Sequence, residues 1–556
     1  MLVSVVSLLT LLALLFAPGD LRAASYDKKL EFKKAGILQC VNVDQQAALY
    51  GHRYQAPYPT PDWNDGVYSL LEDQTKRIYD LVKANSKEMN IQNLYSEGLP
   101  VDMKNYSTDV ELVVYERGGL SPETVQAVNG IEGDEVVLNW LRDNPREDWS
   151  ALSDNIKPIP RKRPVDGKLR VAFVFGEHGR ELVSTEMGEF FLKVLAESST
   201  ETLLPLLNGD SKLVKEVLEA LDNTVIHAVP CENKNGRRIV ETKDEDDKNV
   251  YHIPQELLDT GRRKPPNQCQ RANSRFIDPN RNWPAKWGNK PYDYQPWQEY
   301  PGPEPLSEPE SRLMFRIMHA VEPQAVVNIH SGMFGMFMPP DYTPIMVNSA
   351  DSLAQLRLQQ YLNDKWLDGK CSTGGGGHSV GYVAYGTTND FLRLGFQIPS
   401  TQTWEIFGNQ KAEYYDCFSL LNPIGEAQLN EYLTRWTRLA LEHISLLYKG
   451  LVPGIRSPEG VFSEEVAKLP NPNACGLTKN HIDAMDGLSD IALGRGNRSE
   501  RLRFVEEAME NTAVLNMPTY KELFDKQNNV AEALAGGIHE EMGTQDIHGI
   551  PEEHGK

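Results

Sequence analysis

The segment Leu169-Arg-Val-Ala-Phe-Val-Phe175 runs directly into Gly176-Glu-His-Gly-Arg-Glu181, and this stretch decides the fold. Its first part, rich in Val and Phe, is typical of a buried strand. A helix follows at once, because apolar residues then recur at the spacing of one helix face: Met187, Phe190, Phe191, Val194 and Leu195. The polar turn between strand and helix is therefore expected at the carboxyl edge of a sheet, where open α/β folds bind ligands.

Further apolar strands alternate with helices along the chain. They are predicted at 109–115, 224–229, 325–329 and 396–406. A first amphipathic helix is predicted around 70–82 from its helical spacing of apolar residues. This alternation predicts an α/β fold with a mixed, largely parallel sheet flanked by helices. We expect one domain over 45–450, with an insertion at about 118–168 that carries a short helix near 136–141.

The last helix of this domain is marked by an apolar stripe and a C-terminal signal. The stripe consists of Leu429, Leu433, Trp436, Leu439, Ala440 and Leu447. Lys449 and Gly450 supply a cation and a capping glycine at its end. The remaining residues, 451–556, are rich in proline, asparagine and acids, and they predict an acidic, partly ordered C-terminal extension.

The composition excludes two classes of protein. The 556 residues are 40% hydrophobic and 24% charged, which is typical of a folded globular protein rather than a disordered one. The net charge of −21, from 57 Lys+Arg against 78 Asp+Glu, argues against nucleic acid as a partner, because phosphate binding needs clustered cations. A chain of this size can bury a large core without a metal. Any bound metal is therefore expected to serve chemistry.

The amino terminus predicts export. Leu2 to Ala17 form an apolar run, and the small residues Ala23 and Ala24 follow it, which is the pattern of a signal peptide over 1–23. The alternative is a signal anchor, but the run is shorter than the ~20 residues that a spanning helix needs. We expect the protein in the secretory pathway, either extracellular or in a lumenal or vacuolar compartment, with no stable membrane insertion after signal removal.

Cysteines and sequons agree with export. All six cysteines lie beyond the predicted signal, where disulfides can form: Cys40, Cys231, Cys269, Cys371, Cys417 and Cys475. No two of them have CxxC spacing, which argues against a thiolate metal site. Sequons beginning at Asn105 and Asn497 predict a glycoprotein.

Three residues carry the chemistry of a zinc site. His178 and Glu181 are three apart in the turn after the strand, and His330 ends another strand, before Ser331 and Gly332. Two imidazoles and one carboxylate, with water in the fourth position, are a known zinc donor set. Each motif alone is common by chance, so the prediction depends on their combination.

Three further motifs contain polar side chains, and one of them suits the binding of a carboxylate. Asn280 and Arg281 stand side by side, and a guanidinium can bind a carboxylate bidentately. Tyr382 lies in a later loop, and Glu405 lies near the end of the strand predicted at 396–406. Taken singly, each of these residues is as well explained by an ordinary solvated loop or strand end.

In this order, the five motifs resemble those of the zinc metallocarboxypeptidases, the carboxypeptidase A-like family. Two further segments extend the resemblance: Gly302-Pro-Glu-Pro-Leu-Ser-Glu-Pro-Glu310 is similar to a stretch before the second histidine strand, and Asp390 falls where the family has an Asp after its mobile tyrosine. The resemblance covers roughly 45–450, with insertions. It implies a metallopeptidase that removes the C-terminal residue of peptides or proteins.

The resemblance assigns roles to particular residues. It implies one Zn²⁺ per chain, held by His178, Glu181 and His330, and a zinc-activated water as the attacking group. Glu405 would be the general base and then the general acid. The substrate's terminal carboxylate would be bound by Asn280, Arg281 and Tyr382. Arg263 would stabilise the oxyanion, with Arg262 as a nearly equal candidate.

Some positions depart from the family. The floor of the specificity pocket is expected to be Asn389, a neutral amide that fits neither an apolar nor a basic C-terminal residue. The substrate preference therefore stays open, with a polar or mixed C-terminal residue slightly favoured. The turn Asn233-Lys-Asn-Gly236 is less typical than its family counterpart. Two other functions remain open: a catalytically silent peptide-binding glycoprotein on the same fold, and a zinc amidohydrolase of small acyl-amino acids.

Overall fold

The structure of the protein is a computed structural model that describes residues 66–97, 106–144, 158–160, 167–242, 266–288, 296–343, 350–380, 383–409, 417–452 and 455. Its strands are β1 (Met89–Glu97), β2 (Ser107–Glu116), β3 (Leu169–Phe175), β4 (Thr224–Val229), β5 (Ala325–His330), β6 (Gly335–Met338), β7 (Ser372–Gly375) and β8 (Ser400–Glu405). They form a single sheet in the order β1-β2-β4-β3-β5-β8-β6-β7.

Helices cover both faces of this sheet. In chain order the α-helices of the described ranges are α1 (Leu71–Ala84), α2 (Pro122–Asn129), α3 (Glu135–Asp143), α4 (Leu182–Ala196), α5 (Thr200–Leu206), α6 (Ser211–Asp222), α7 (Lys234–Glu241), α8 (Pro296–Glu299), α9 (Pro309–Val321), α10 (Ala350–Trp366), α11 (Gly376–Ser379), α12 (Thr388–Leu394), α13 (Cys417–Leu421) and α14 (Glu426–Tyr448). A 3₁₀ turn at Pro279–Arg281 carries the Asn-Arg motif.

The sheet is mixed, with a parallel centre. Strands β4, β3, β5 and β8 are neighbours and run parallel, and so do β6 and β7. Antiparallel pairing joins β1 to β2, β2 to β4 and β6 to β8. The predicted α/β fold with a mixed, largely parallel sheet is thus confirmed.

Strand β3 shows why the centre is parallel and buried. All of its residues are buried, and they alternate between two hydrophobic clusters. Phe173 and Phe175 pack in the cluster that includes α4 and α14, while Ala172 and Val174 pack in the cluster of α9 and α12. A strand covered on both faces needs apolar residues at successive positions, and the Val- and Phe-rich segment supplies them.

The structure shortens one predicted strand and adds three others. The strand expected over 396–406 begins only at Ser400, because Pro399 has no backbone N–H and Gln397 has a left-handed φ of 52°. The helix expected near 136–141 is α3, and α14 ends at Tyr448, beside the predicted Lys449 cap. The short strands β6 and β7 and the polar strand β1 were not predicted.

Several predictions fall on other parts of the chain. The signal peptide, the acceptor asparagines of both sequons and nearly all of 451–556 lie outside the described residues. A disulfide joins Cys269 to Cys417, which confirms the expectation of disulfide bonding for one pair, and Cys231 and Cys371 are buried free thiols. Among the helices of the described ranges, none is long and apolar enough to cross a membrane.

Candidate active site

The turn after β3 delivers His178 to the sheet edge. Gly176 has a φ of 67°, and a Cβ atom there would lie 2.7 Å from a methyl carbon of Thr185, so only glycine fits. His178 follows two residues later, and Glu181 is the N-cap residue of α4. The tight turn therefore holds both side chains at the carboxyl end of β3.

The Asn233-Lys-Asn-Gly236 turn supports this loop. The backbone N–H of Asn233 donates to the carbonyl of Gly176 at 2.9 Å, and the side-chain amide of Asn233 donates to the carbonyl of Glu177 at 3.1 Å. A Cβ atom on Gly179 would come within 2.5 Å of the backbone of Gly236, so the two loops touch directly. The less typical sequence of this turn thus still serves to hold the loop of His178.

Three donor groups converge in the buried centre of the site. The Nδ1 atom of His178 lies 2.8 Å from Oε1 of Glu181 and 3.1 Å from Nδ1 of His330. The Nδ1 atom of His330 lies 3.2 Å from Oε2 of Glu181. Each of the three side chains is at most 2% exposed. Burial alone would raise the pKa of Glu181, but the two imidazoles outweigh it and hold that pKa well below its usual range.

This donor set fits a zinc ion. Ligand atoms about 2.0–2.2 Å from a tetrahedral zinc are roughly 3.3 Å apart. The observed separations of 2.8–3.2 Å between the donors of His178, Glu181 and His330 are slightly shorter, so a small opening of the cluster would admit the ion. Two neutral imidazoles and one carboxylate are also the donor chemistry that zinc prefers.

A second carboxylate lies close to the same histidines. Glu177, His178 and His330 also present possible ligand atoms within 4.8 Å of one another. Glu177, however, contacts the Nε2 atom of His330, which is the ring nitrogen on the side away from His178 and Glu181. The convergence of both Nδ1 atoms on Glu181 favours Glu181 as the third ligand.

Glu405 stands beside this cluster at the end of β8. It is the register partner of His330 across the parallel β5–β8 pair, and its Oε2 atom has no hydrogen-bond partner among the described residues. Burial, followed by the negative charge of Glu181, raises the pKa of Glu405 to about 7. A bound dication would lower that pKa again. A carboxylate poised near neutrality suits proton transfer.

Arg271 is a site residue that sequence reasoning did not identify. Its Nε atom donates to Asp278 at 2.9 Å, and its Nη1 atom lies 3.9 Å from Glu181. The side chain lines the same cleft as Glu405. Arg263 and Arg262, the residues predicted for the oxyanion, lie outside the described residues. Sequence spacing could not single out Arg271, because several arginines fall in the same stretch.

Asp278 links Arg271 to the first histidine. One carboxylate oxygen of Asp278 accepts from Arg271, and the other lies 3.1 Å from the Nε2 atom of His178. Burial would raise the pKa of Asp278, but Arg271 and His178 outweigh it and keep that pKa well below its usual value. Asp278 therefore stays ionised and holds His178 with Nδ1 directed toward Glu181 and His330.

Two of the predicted carboxylate-binding residues, Asn280 and Arg281, line the same cleft, and the acid Glu299 lies there with them. Arg281 donates from Nη1 to the carbonyl of Asn280 and from Nη2 to Glu299, each at 2.7 Å. Arg281 and Glu299 are 3% and 5% exposed. The side-chain oxygen of Asn280 accepts from the backbone N–H of Thr388. Tyr382, the third residue predicted for this role, lies outside the described residues.

The pocket wall contains a residue that was not predicted. Asn389, expected at the pocket floor, is 2% exposed and donates to Thr403, which lines the cleft. Asp341 also lines the cleft, and its carboxylate accepts from the hydroxyl of Thr387 at 2.8 Å. The carboxylate of Asp390 accepts from the backbone N–H of Asp341, which holds that residue in place. The pocket wall is thus acidic as well as polar.

Comparison with known proteins places this cleft in a family. The sequence model described as "Zinc carboxypeptidase" matches residues 161–431. A search of curated proteins returns no significant match. Among solved structures, the chain is similar to carboxypeptidase A from Helicoverpa armigera, with 14% identity, 74% of this chain and 81% of that chain covered, and a TM-score of 0.44.

Two other solved structures show the range of the similarity. One is bovine thrombin-activatable fibrinolysis inhibitor in complex with tick carboxypeptidase inhibitor, with 14% identity, 68% and 97% of the two chains covered, and a TM-score of 0.42. The other is murein-tripeptide amidase MpaA from Escherichia coli O157, with 17% identity, 51% and 84% covered, and a TM-score of 0.25. At such TM-scores these similarities say nothing of activity.

The family assignment therefore follows from the sequence match. The matched segment contains the turn of His178 and Glu181, the strand that ends at His330, and Glu405. The segment forms the centre of the mixed sheet described above. Residues 161–431 of the chain therefore match the zinc carboxypeptidase family, and this segment has a carboxypeptidase-like α/β fold.

Proposed function

We propose that the protein is an exported zinc carboxypeptidase that removes the C-terminal residue from peptides or proteins. The observation that carries this proposal is the single cleft in which the donors of His178, Glu181 and His330 meet beside Glu405 and Arg281. Export is supported by the apolar N-terminal run.

Each residue of the cleft has a separate role in peptide hydrolysis. Zinc held by the two histidines and Glu181 would lower the pKa of a bound water to about 7 and polarise the peptide carbonyl. Glu405 takes the proton from the attacking water at its unpartnered Oε2 atom and then gives it to the leaving amine. The guanidinium of Arg271 stabilises the negative charge that develops on the carbonyl oxygen.

Substrate binding requires an exchange of ion pairs. Arg281 already contacts Glu299, so a terminal carboxylate that enters the cleft competes with this internal acid. A substrate whose last side chain is cationic compensates for that competition, because Glu299 and Asp341 both lie in the cleft lining. We therefore propose a preference for C-terminal residues with polar or basic side chains.

The decisive experiment is an assay of the purified full-length protein with a mixed peptide library. Mass spectrometry of the peptide carboxyl ends, with and without a chelator, should show the loss of single C-terminal residues that stops on chelation and returns with zinc. Matched peptides with amidated termini should resist cleavage. Internal cleavage would contradict an exopeptidase, and peptide binding without any turnover would favour a silent binding protein.

A further inference from the structure

We propose that Glu177 is a positioning residue of the zinc site: its carboxylate holds the imidazole of His330 from the side away from the metal and is not itself a ligand. This inference rests on the proposed zinc site and deepens it. It assigns a role to a buried acid that lies two residues after the end of β3 and that has no place in the reaction described above.

The first observation is the contact between the two side chains. The Oε2 atom of Glu177 lies 2.9 Å from the Nε2 atom of His330, which is an ion-pair distance, although the two atoms are not aligned as a hydrogen bond. Glu177 is 0% exposed and His330 is 1% exposed, so water does not compete for this contact. The other ring nitrogen of His330, Nδ1, lies among the donors of His178 and Glu181.

The second observation is that Glu177 is itself held in place. The hydroxyl of Thr388 donates to its Oε1 atom at 2.6 Å, and the side-chain amide of Asn328 donates to its Oε2 atom at 2.7 Å. Both donors are 1% exposed, and they come from two separate elements, α12 and β5. For Glu177 to rotate into the ligand cluster, it would have to give up both of these buried charge-assisted hydrogen bonds.

The third observation is that the other histidine also has a buried carboxylate beside its Nε2 atom. The Nε2 atom of His178 lies 3.1 Å from a carboxylate oxygen of Asp278. Each imidazole therefore has Nδ1 in the centre and Nε2 next to a buried carboxylate. Such an outer partner sets the tautomer, fixes the ring orientation and raises the basicity of the ligand nitrogen. By this arrangement, Glu177 holds the imidazole of His330, and Asp278 holds that of His178.

The test is the zinc affinity of the full-length protein, measured by competition with a chromogenic chelator at constant pH. Glu177→Gln should bind zinc about 10- to 100-fold more weakly, the usual loss when an outer partner is replaced. Glu181→Gln replaces a proposed ligand and should reduce the zinc affinity by a much larger factor. The matched control is Glu232→Gln, because Glu232 is equally buried and neither of its carboxylate oxygens has a hydrogen-bond partner among the described residues. Its zinc affinity should stay within about twofold of the wild type.

A second readout separates an outer partner from a ligand. In the Co²⁺-substituted protein, Glu177→Gln should keep the wild-type visible absorption spectrum, whereas Glu181→Gln should change it, because only Glu181 lies in the coordination sphere. A spectrum altered by Glu177→Gln in the manner of Glu181→Gln would make Glu177 a ligand and overturn the inference.

A milder variant guards against misfolding. Thr388→Val removes one donor to Glu177 and should weaken zinc binding in the same direction by about fivefold, the equivalent of one ordinary hydrogen bond. Wild-type affinity in both Glu177→Gln and Thr388→Val would refute the positioning role while leaving the zinc site intact. A wild-type protein that binds no zinc would refute the proposed function as well.

Discussion

His330 and Glu405 are register partners at the ends of two neighbouring parallel strands, β5 and β8. Paired residues of adjacent strands project their side chains to the same side of a sheet. The last residue of each strand therefore reaches into the same cleft, one as an imidazole donor and the other as a carboxylate. The alignment of two backbones places the proposed base beside the proposed metal.

The proton-transfer role of Glu405 predicts a selective loss of turnover. Glu405→Gln keeps the shape of the side chain but removes its basicity, so kcat should fall by about 10²- to 10⁴-fold. The zinc content should remain one per chain, because the three donor side chains are unchanged. Steady-state kinetics together with metal analysis measures both quantities, and turnover close to the wild type would remove Glu405 from the mechanism.

Arg271 is expected to be the cation that stabilises the oxyanion. Arg271→Ala should lower kcat by about 10²- to 10³-fold with little change in KM, because the interaction forms only as charge develops on the carbonyl oxygen. Arg263→Ala is the matched control and should remain close to the wild type, and Arg271→Lys should recover part of the rate. If Arg263→Ala carried the larger loss, the role would pass to that residue.

Substitutions of Arg281 and of Glu299 are expected to change KM in opposite directions. Glu299→Gln removes the internal competitor for Arg281, so KM for peptides should fall about fivefold, or roughly 1 kcal/mol. Arg281→Gln should raise KM by at least that factor. Neither change should improve the cleavage of amidated peptides, which have no terminal carboxylate. A higher KM in Glu299→Gln would show that Glu299 assists binding instead.

Asp341 is predicted to select cationic C-terminal side chains. Asp341→Asn should reduce kcat/KM for a peptide that ends in Lys, relative to one that ends in Leu, by about fivefold, since a partly solvated charge pair is worth on the order of 1 kcal/mol. Burial raises the pKa of Asp341 to about 6. The Lys-to-Leu ratio in the wild type should therefore increase as the pH rises from 5 to 7. An equal ratio at both pH values would exclude Asp341 from this role.

His443 predicts a loss of stability in acid. It is 0% exposed, packs edge-on against Trp404, and has no hydrogen-bond partner for either ring nitrogen among the described residues, so burial lowers its pKa to about 3. Between pH 6.5 and that value the unfolded chain binds the proton and the folded chain does not. The free energy of unfolding therefore decreases as the pH is lowered below 6.5, by roughly 1.4 kcal/mol per pH unit. At pH 5 the loss is about 2 kcal/mol relative to neutral pH.

The variant His443→Leu tests this account by urea unfolding at pH 7.5 and pH 5. Its free energy of unfolding should change about 2 kcal/mol less between the two pH values than that of the wild type. His227 is also buried, its pKa is likewise lowered to about 3, and its contribution should persist in the variant. The same pH dependence in both proteins would mean that His443 is protonated in the fold.

The sequence predicted the central strands better than the edges of the sheet. The strands Leu169–Phe175, Thr224–Val229 and Ala325–His330 are mostly apolar, because helices cover both of their faces. Strand β1 is rich in polar residues and lies at the sheet edge, and β6 and β7 have only four residues each, with one glycine in β6 and two in β7. Such strands form because a neighbouring strand pairs with them. That neighbour is distant in the sequence, so the local residue pattern does not predict the pairing.

By itself, the sequence determined which groups could take part in chemistry. The order of His178, Glu181, Arg281, His330 and Glu405, and the strands that carry them, follows from local patterns and from the family resemblance. Only the tertiary structure decided which other groups join them. Arg271, Glu177 and Glu299 belong to the site through contacts of 2.7–3.9 Å with residues distant in the chain or on another element. Such contacts depend on strand register and loop packing, and neither is encoded in the spacing of residues along the chain.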